Sequence, residues 1–355
     1  QQLLAAQNHA VATPAVYLDK TKRIASASLS PKGDMLLVAV ADKAEWRDKT
    51  DIMPNYITAS GNIAAEEVRR RVADQKPQSQ QLFLVDVKTQ QATELKYDTL
   101  PGFDEDVLAG VKAENAKAQG KTYQSKKAPR AIELINDWSW NQSAIQWHNS
   151  GSQVAVMLKA WDNKDRWLAT VDFAKKRLVS QHRLHDDAWI NYSFNDFGWL
   201  SQKDSLYYLS EESGYSHLYV KPLKGKAKKL TSGTFEVSDP VLSSNDQFIY
   251  FKANVAHPGN YEVYRAVLAN GNTEQLTKLG GSTDFTLSPN EQKLLLRHST
   301  NLMPEELYVA GAAPGALIAL VQALSARRRS SPCTPEAEAA FVPQCLEQRQ
   351  LTSEA

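Results

Sequence analysis

A hairpin pattern, in which a short strand, a tight turn and a strongly apolar strand follow one another, recurs five times along the chain. In order the copies read RIASASLSPKGDMLLVAV, AIQWHNSGSQVAVMLKA, FGWLSQKDSLYYLS, PVLSSNDQFIYFKA and FTLSPNEQKLLLRH. The turns are made of Ser, Pro, Asn, Asp and Gly, which allow a tight chain reversal. The second strands are rich in Val, Ile, Leu, Tyr and Phe, which suit a pleated, buried surface. Each copy therefore predicts a β-hairpin.

A third strand follows every hairpin (QLFLVDV, RWLATVDF, HLYVKPL, YEVYRAVL, EELYVA), and a fourth follows four of them (ATELKY, RLVSQHRL, AKKLTS, TEQLTK). Sets of four short antiparallel strands, repeated about every 40 residues, are typical of a β-propeller. A β-sandwich, the main alternative, does not explain matching strand sets in order, and no useful helical period interrupts them. We predict an all-β chain with a partial β-propeller over residues 23–310, about four to five four-stranded blades, preceded by an N-terminal segment, 1–22.

The long connections of the predicted propeller fall on one side. If the strands of a blade are named A to D, the turns from A to B are tight, and those from C to D mostly so. The loops from B to C and the connections from D to the next A are longer, with large insertions at 41–80 and 98–142. Both kinds of connection leave from the same face of an up-and-down blade. We call this the decorated face and expect it to carry function, because binding residues concentrate on loops held by a rigid scaffold.

The segment SEESGYSHLYV is the B–C loop of the third blade and brings candidate binding groups to the decorated face. Glu211 and Glu212 could together hold a substrate ammonium group, since two carboxylates can converge on one cation. The alternative is structural. Gly214 would give the turn its positive φ, the carboxylates would accept backbone N–H groups, and Tyr215 and His217 would cap the sheet.

Composition limits the classes of partner. The net charge is +1, which gives no overall field for nucleic acid, and no apolar run is long enough to span a bilayer. We therefore expect neither a nucleic-acid nor a membrane partner. Cys333 and Cys345 are the only cysteines, a usage that fits an exported protein. The chain begins with Gln1, which indicates a processed protein or a fragment.

Two adjoining stretches, YYLSEESGYSHLYVKPL and KKLTSGTFEVSDPVLSSNDQFIYFKA, resemble the N-terminal β-propeller domain of the dipeptidyl peptidase IV branch of the prolyl oligopeptidase (S9) family. The resemblance spans roughly residues 20–310 and is most specific over 197–278. DIMPNYITASGNIAAEEVRRRV resembles the long first insertion of bacterial members. The resemblance implies a propeller that covers an α/β-hydrolase domain, gates access of peptide substrates to a serine peptidase site, and is periplasmic or secreted.

The same resemblance implies a Glu–Glu pair that anchors the free N-terminus of the substrate. The family carries the pair in a DWVYEEE-like segment, whereas this chain reads NDWSWNQSAIQW and lacks the acidic triplet. Glu66 and Glu67, expected on a short helix within the first insertion, are the candidate substitutes. Their alternative role is a solvated helix face paired with arginines at 69–71.

The catalytic groups of such a peptidase are missing from the sequence. No G-x-S-x-G nucleophile motif occurs, and none of the seven histidines lies in a recognisable triad context. His182 and His185 are three residues apart in a strand, where side chains diverge, so we expect no metal site. We also expect no cofactor, and we expect this chain alone to be inactive.

The C-terminal residues 311–355 differ in character from the repeats. They are rich in Ala, Arg, Ser, Pro and Gln, and no fourth strand is expected after EELYVA. We interpret them as a disordered or helical tail, or as the product of a shifted reading frame. An incomplete ring would expose two blade faces and favour self-association. The alternatives to a peptidase propeller are a non-catalytic TolB-like binding module and a non-functional truncated product.

Overall fold

Antiparallel β-strands are the main regular structure of the described residues. The computed structural model describes residues 18–43, 51–68, 77–135 and 142–320. The predicted all-β architecture of four-stranded blades is confirmed. The first blade has the order β1-β2-β5-β6, and the strands between β2 and β5 form a separate hairpin. These strands are β1 (Lys22–Leu29), β2 (Met35–Asp42), β3 (Asp51–Asn55), β4 (Ala64–Val68), β5 (Gln81–Asp86) and β6 (Ala92–Leu95).

The second and third blades repeat the plan. In the second, β8, β9, β10 and β11 occupy positions A to D, and the short β7 pairs with the far end of β9. The third has the order β12-β13-β14-β15. Their strands are β7 (Ile132–Leu134), β8 (Ile145–Trp147), β9 (Val154–Ala160), β10 (Asp165–Asp172), β11 (Arg177–His185), β12 (Phe197–Trp199), β13 (Ser205–Ser210), β14 (His217–Pro222) and β15 (Lys228–Lys229).

The described residues form two compact units, one from the ranges 1–249 and 266–272 and the other from the ranges 250–265 and 273–355. The first unit holds the first three blades and β16 (Val237–Leu242). In the second, β20 to β23 form the fifth four-stranded set, and β19 pairs with β18. The later strands are β17 (Phe248–His257), β18 (Asn260–Val267), β19 (Thr273–Gln275), β20 (Ser282–Leu287), β21 (Lys293–Thr300), β22 (Met303–Gly311) and β23 (Ile318–Leu320).

Strand β9 explains how the blades of the first unit hold together. Its sequence VAVMLKA is apolar at all but one position, and side chains alternate between the two faces of a strand. Val156 and Leu158 pack into a core shared with the first blade, whereas Met157 packs into a core shared with the third. Each fully buried Val, Leu or Met side chain contributes about 1.5–3 kcal/mol. The second blade is therefore a layer between two hydrophobic cores.

The tight A–B turns link successive blades on the side opposite the decorated face. Asp246 accepts hydrogen bonds from the backbone N–H groups of Ser201 and Gln202, both at 2.8 Å. His148 Nε2 lies 3.1 Å from the carbonyl oxygen of Leu200. The predicted hairpin turns thus also connect neighbouring blades.

One expectation from the sequence is wrong here. The fifth strand set does have a fourth strand, because β23 pairs with β22 through Val309 and Ala319. The tail therefore does not begin directly after β22. In addition, a helix, α1 (Ala109–Ala118), lies in the second insertion. None of its residues is buried, so it has no apolar stripe that a helical period could reveal.

Candidate functional site

The base of the second insertion is fixed to the second blade by a buried ionic network centred on Asp165. This carboxylate is fully buried at the start of β10, beside the B–C turn. Arg130, at the end of the insertion, donates to Asp165 at 2.5 Å and forms two hydrogen bonds with Asp162 of the turn, at 2.6 and 3.0 Å. Burial lowers the pKa of Arg130, but the hydrogen bonds to the two aspartates outweigh it, so the guanidinium pKa lies above its ordinary value.

The network continues to the start of the insertion through Arg183 on β11. This residue donates to Asp165 at 2.6 Å and to Glu105 at 2.7 Å. The hydrogen bond from Arg183 is the main reason why the pKa of Glu105 lies below its usual value. His185 lies 3.1 Å from the same Asp165 oxygen. Both ends of the insertion are therefore held at one point on the decorated face.

Within the insertion, Asp106 joins α1 to the segment that returns to the blade. It accepts hydrogen bonds from Lys112 at 2.5 Å, from Ser125 at 3.1 Å and from the hydroxyl of Tyr123. The hydrogen bond from Lys112, followed by that from Tyr123, lowers the pKa of Asp106 to about 2. One carboxylate thus fixes the shape of a loop that has almost no core of its own.

The adjacent Glu211 and Glu212 have different partners. Glu212 accepts a hydrogen bond from His182 Nε2 at 2.8 Å, and this bond lowers the carboxyl pKa. Glu211 is half-buried and interacts with Asn191 and Arg166. Burial raises the pKa of Glu211, the charge of Arg166 lowers it, and the charge of Glu236 raises it further. The two carboxylates therefore have different partners and opposite pKa shifts.

Arg166 is the charged group behind Glu211. Its guanidinium is buried and donates to the carbonyl oxygen of Phe194 at 2.7 Å and to Asn195 Oδ1 at 2.6 Å. Burial lowers the pKa of Arg166 to about 10, and the nearby Glu211 opposes the shift. Arg166 thus joins β10 to the connection that precedes the third blade, and its positive charge lies near Glu211.

The other predicted loop residues have distinct positions. Gly214 has φ of 97°, as the structural interpretation requires. Tyr215 is exposed on the loop. His217 is fully buried: its Nε2 donates to the carbonyl oxygen of Gly233 at 3.1 Å, and its ring meets Phe235 edge-on at 5.2 Å. Burial lowers the pKa of His217, so a neutral imidazole is favoured.

Glu66 and Glu67 lie on strand β4, not on the helix expected from the sequence. In the hairpin, Glu66 is opposite Met53 and Glu67 is opposite Ile52. Consecutive strand residues project to opposite faces, so the two carboxylates cannot converge on one cation as they could on a helix. Both side chains are exposed. Arg69, Arg70 and Arg71, the expected ion-pair partners, lie outside the described residues, as does the whole of NDWSWN.

His182 and His185 contact different carboxylates, in keeping with their predicted divergence. No group of His, Cys, Asp and Glu side chains in the described ranges is arranged to hold a metal ion. Among the same residues, no helix is long and apolar enough to cross a membrane.

The Asp165 network is the part of the site that sequence reasoning missed. Arg130, Asp165 and Arg183 come from an insertion and two strands, and their spacing forms no motif. The only local signal is the charged turn WDNKDRW, whose second aspartate is the first residue of the buried strand β10. A charge at such a position requires a partner, although the sequence does not say which one.

The four-stranded antiparallel blades define the chain as a β-propeller. The family described as the dipeptidyl peptidase IV N-terminal region matches residues 112–305, more than half of the chain. The chain belongs to this family.

Solved structures agree in fold. Dipeptidyl peptidase 4 of Porphyromonas gingivalis is similar with a TM-score of 0.57 and 16% identity, over 87% of this chain and 39% of that one. A putative dipeptidyl aminopeptidase IV of Bacteroides ovatus ATCC 8483 is similar with a TM-score of 0.56 and 14% identity, over 83% of this chain and 41% of that one. This chain thus spans about two fifths of either structure. A comparison with curated proteins found no match.

Proposed function

We propose that this chain is the substrate-gating and substrate-binding propeller of a dipeptidyl peptidase IV-like serine peptidase, an enzyme that releases dipeptides from peptide N-termini. Membership of the dipeptidyl peptidase IV N-terminal family carries the proposal. The position of the long loops supports it. In the first blade the strands alternate in direction along the order β1-β2-β5-β6, so both insertions leave from one end of the blade. Loops gathered on one face of a rigid scaffold suit a face that admits or excludes peptides.

In this proposal the chemistry belongs to an α/β-hydrolase domain outside this sequence. Such a domain supplies the serine nucleophile, the general base and the acid that orients the base. The propeller contributes position and exclusion. A fixed rim of loops admits a flexible peptide and keeps out a folded protein, and the Asp165 network keeps one part of that rim in place.

We propose that a single carboxylate, that of Glu66 or that of Glu67, contacts the N-terminus of the substrate. Only one of Glu66 and Glu67 can face a given ammonium group, because they project to opposite sides of β4. A single carboxylate near an ammonium group still gives a charge-assisted hydrogen bond. The parent enzyme is further proposed to act in the periplasm or outside the cell of a bacterium, where peptides from degraded protein are its substrates.

The test is to sequence the source locus from the codon of Pro304 to well beyond that of Ala355 in all three frames, and then to assay the complete protein. We expect a hydrolase domain with a G-x-S-x-G motif, and release of dipeptides that stops when its serine is replaced by alanine. The absence of such a domain in every frame would reject the peptidase and favour a propeller that only binds.

A further inference from the structure

The second insertion forms a distinct protrusion, residues 104–128, which we call the basic lobe. Its base is closed by the hydrogen bond from the N–H of Ala128 to the carbonyl oxygen of Asp104, at 3.0 Å. The next bond, from the N–H of Arg130 to the carbonyl oxygen of Phe103, is 2.9 Å long. The helix α1 and the return segment lie above this closure and are joined by Asp106.

The positive charge of the basic lobe is concentrated in its outer part. Lys112 is neutralised by Asp106, but four further lysine side chains are exposed and have no carboxylate partner among the described residues. They are Lys117, Lys121, Lys126 and Lys127. The lobe holds five lysines and four acidic residues, but three of the acids are the consecutive residues 104–106 at its base, so Glu114 is the only acidic residue in the outer part, residues 107–128. Since the net charge of the whole chain is only +1, the outer part of the lobe, with a net charge of +4 over residues 107–128, is a local concentration of positive charge.

The lobe is also held in place by buried charges. Its base depends on Asp165 and Arg130, whose charges are almost wholly removed from water. Burying such charges is costly unless each is paired, and here each is. A connection that only had to span two blades would need neither the lobe nor this anchoring. The arrangement therefore presents unpaired lysines at a fixed place on the decorated face.

We propose that the basic lobe binds acidic segments of peptide substrates and gives the propeller a preference for anionic peptides. The inference rests on the proposed function and names its substrate class. Other anionic partners fit less well. The only ring on the lobe, that of Tyr123, has the Lys112 ammonium over one face at 5.7 Å, and no second ring on the lobe could stack a base. Helix α1 has no buried or apolar face that could enter a lipid surface.

The test compares two variants with equal charge change. In the lobe variant, the four exposed lysines of the lobe are replaced by glutamate. In the control variant, four exposed lysines on the turns of the opposite face are replaced in the same way, namely Lys88, Lys175, Lys203 and Lys224. Fluorescence anisotropy of the whole chain then gives the Kd of short labelled peptides with free N-termini that are rich in Glu or Gln.

We expect the parent chain and the control variant to bind the Glu-rich peptide about tenfold more tightly than the Gln-rich one, because several exposed ion pairs of modest strength add up to such a factor. In the lobe variant the difference should disappear, and added salt should remove it in the parent. Equal binding of the Glu-rich peptide by the two variants would overturn the inference. So would a lobe variant that loses binding to anionic vesicles while its peptide affinities stay unchanged. Failure of the parent to bind the Gln-rich peptide would instead count against the proposed function.

Discussion

Replacing Asp165 with asparagine removes the charge on which the base of the basic lobe depends. The carboxylate is fully buried and accepts hydrogen bonds from Arg130 at 2.5 Å and from Arg183 at 2.6 Å. Breaking a buried ion pair costs about 3–5 kcal/mol, because the remaining partner is left uncompensated. Here Arg130 keeps Asp162, and Arg183 keeps Glu105, so we expect a loss of about 3 kcal/mol, at the lower end of that range.

Two measurements test the value. Urea unfolding gives the change in the free energy of unfolding of the part that contains the second blade, provided that the slope with denaturant is unchanged. Hydrogen exchange shows whether the amide of Ala128, which closes the lobe, loses its protection. The matched control is the exposed Asp98, whose replacement by asparagine should change the free energy of unfolding by less than about 0.5 kcal/mol. If the Asp165 variant were as stable as the Asp98 variant, the network would not hold the lobe and the reasoning would be refuted.

Three further predictions concern the first unit. Replacing Leu158 with alanine should lower the free energy of unfolding by about 2–5 kcal/mol in urea unfolding, because Leu158 is fully buried; a loss below that of an exposed-site variant would contradict the core assignment. Replacing Gly214 with alanine should cost about 1 kcal/mol at φ of 97°, measured in the same way, and a neutral result would mean that the loop relaxes. Replacing Glu212 with glutamine should have its full destabilising effect above about pH 4.5 and progressively less effect at lower pH. The folded-state pKa of Glu212 is lowered, so its contribution is present above the unfolded pKa and is lost as the pH falls through the folded pKa. Stability curves of the two proteins that stay parallel down to acidic pH would refute the His182 contact.

The blades could be predicted because their signals are local. An alternating apolar strand and a turn of Ser, Asn, Asp and Gly lie within one stretch of sequence, and repetition at a steady period removes the ambiguity of any single copy. Strand β9 shows this, since its apolar run VAVMLKA follows the turn HNSGSQ directly. A structural role for His217 could likewise be predicted, because a histidine at the start of a buried strand is itself enclosed by neighbouring residues.

The missed features depend on residues distant in sequence. The segment AAEEV contains good helix formers, which suggested a helix for Glu66 and Glu67, but its pairing with DIMPN makes it a strand. Strand β23 likewise forms by pairing with β22, which the local sequence of β23 does not indicate. The Asp165 network joins groups from three elements, and no pattern in the sequence specifies which charges meet.

The double burial of β9 also affects how such a chain can be cut or recombined. Val156 completes the core next to the first blade, and Met157 completes the core next to the third. Each core draws on two blades, so a single blade is not an independent folding module. A fusion junction or gene breakpoint between the second and third blades would leave each fragment with half of a core exposed. Exchange between related propellers should therefore be tolerated in the exposed loops of the decorated face, and far less at the borders between blades.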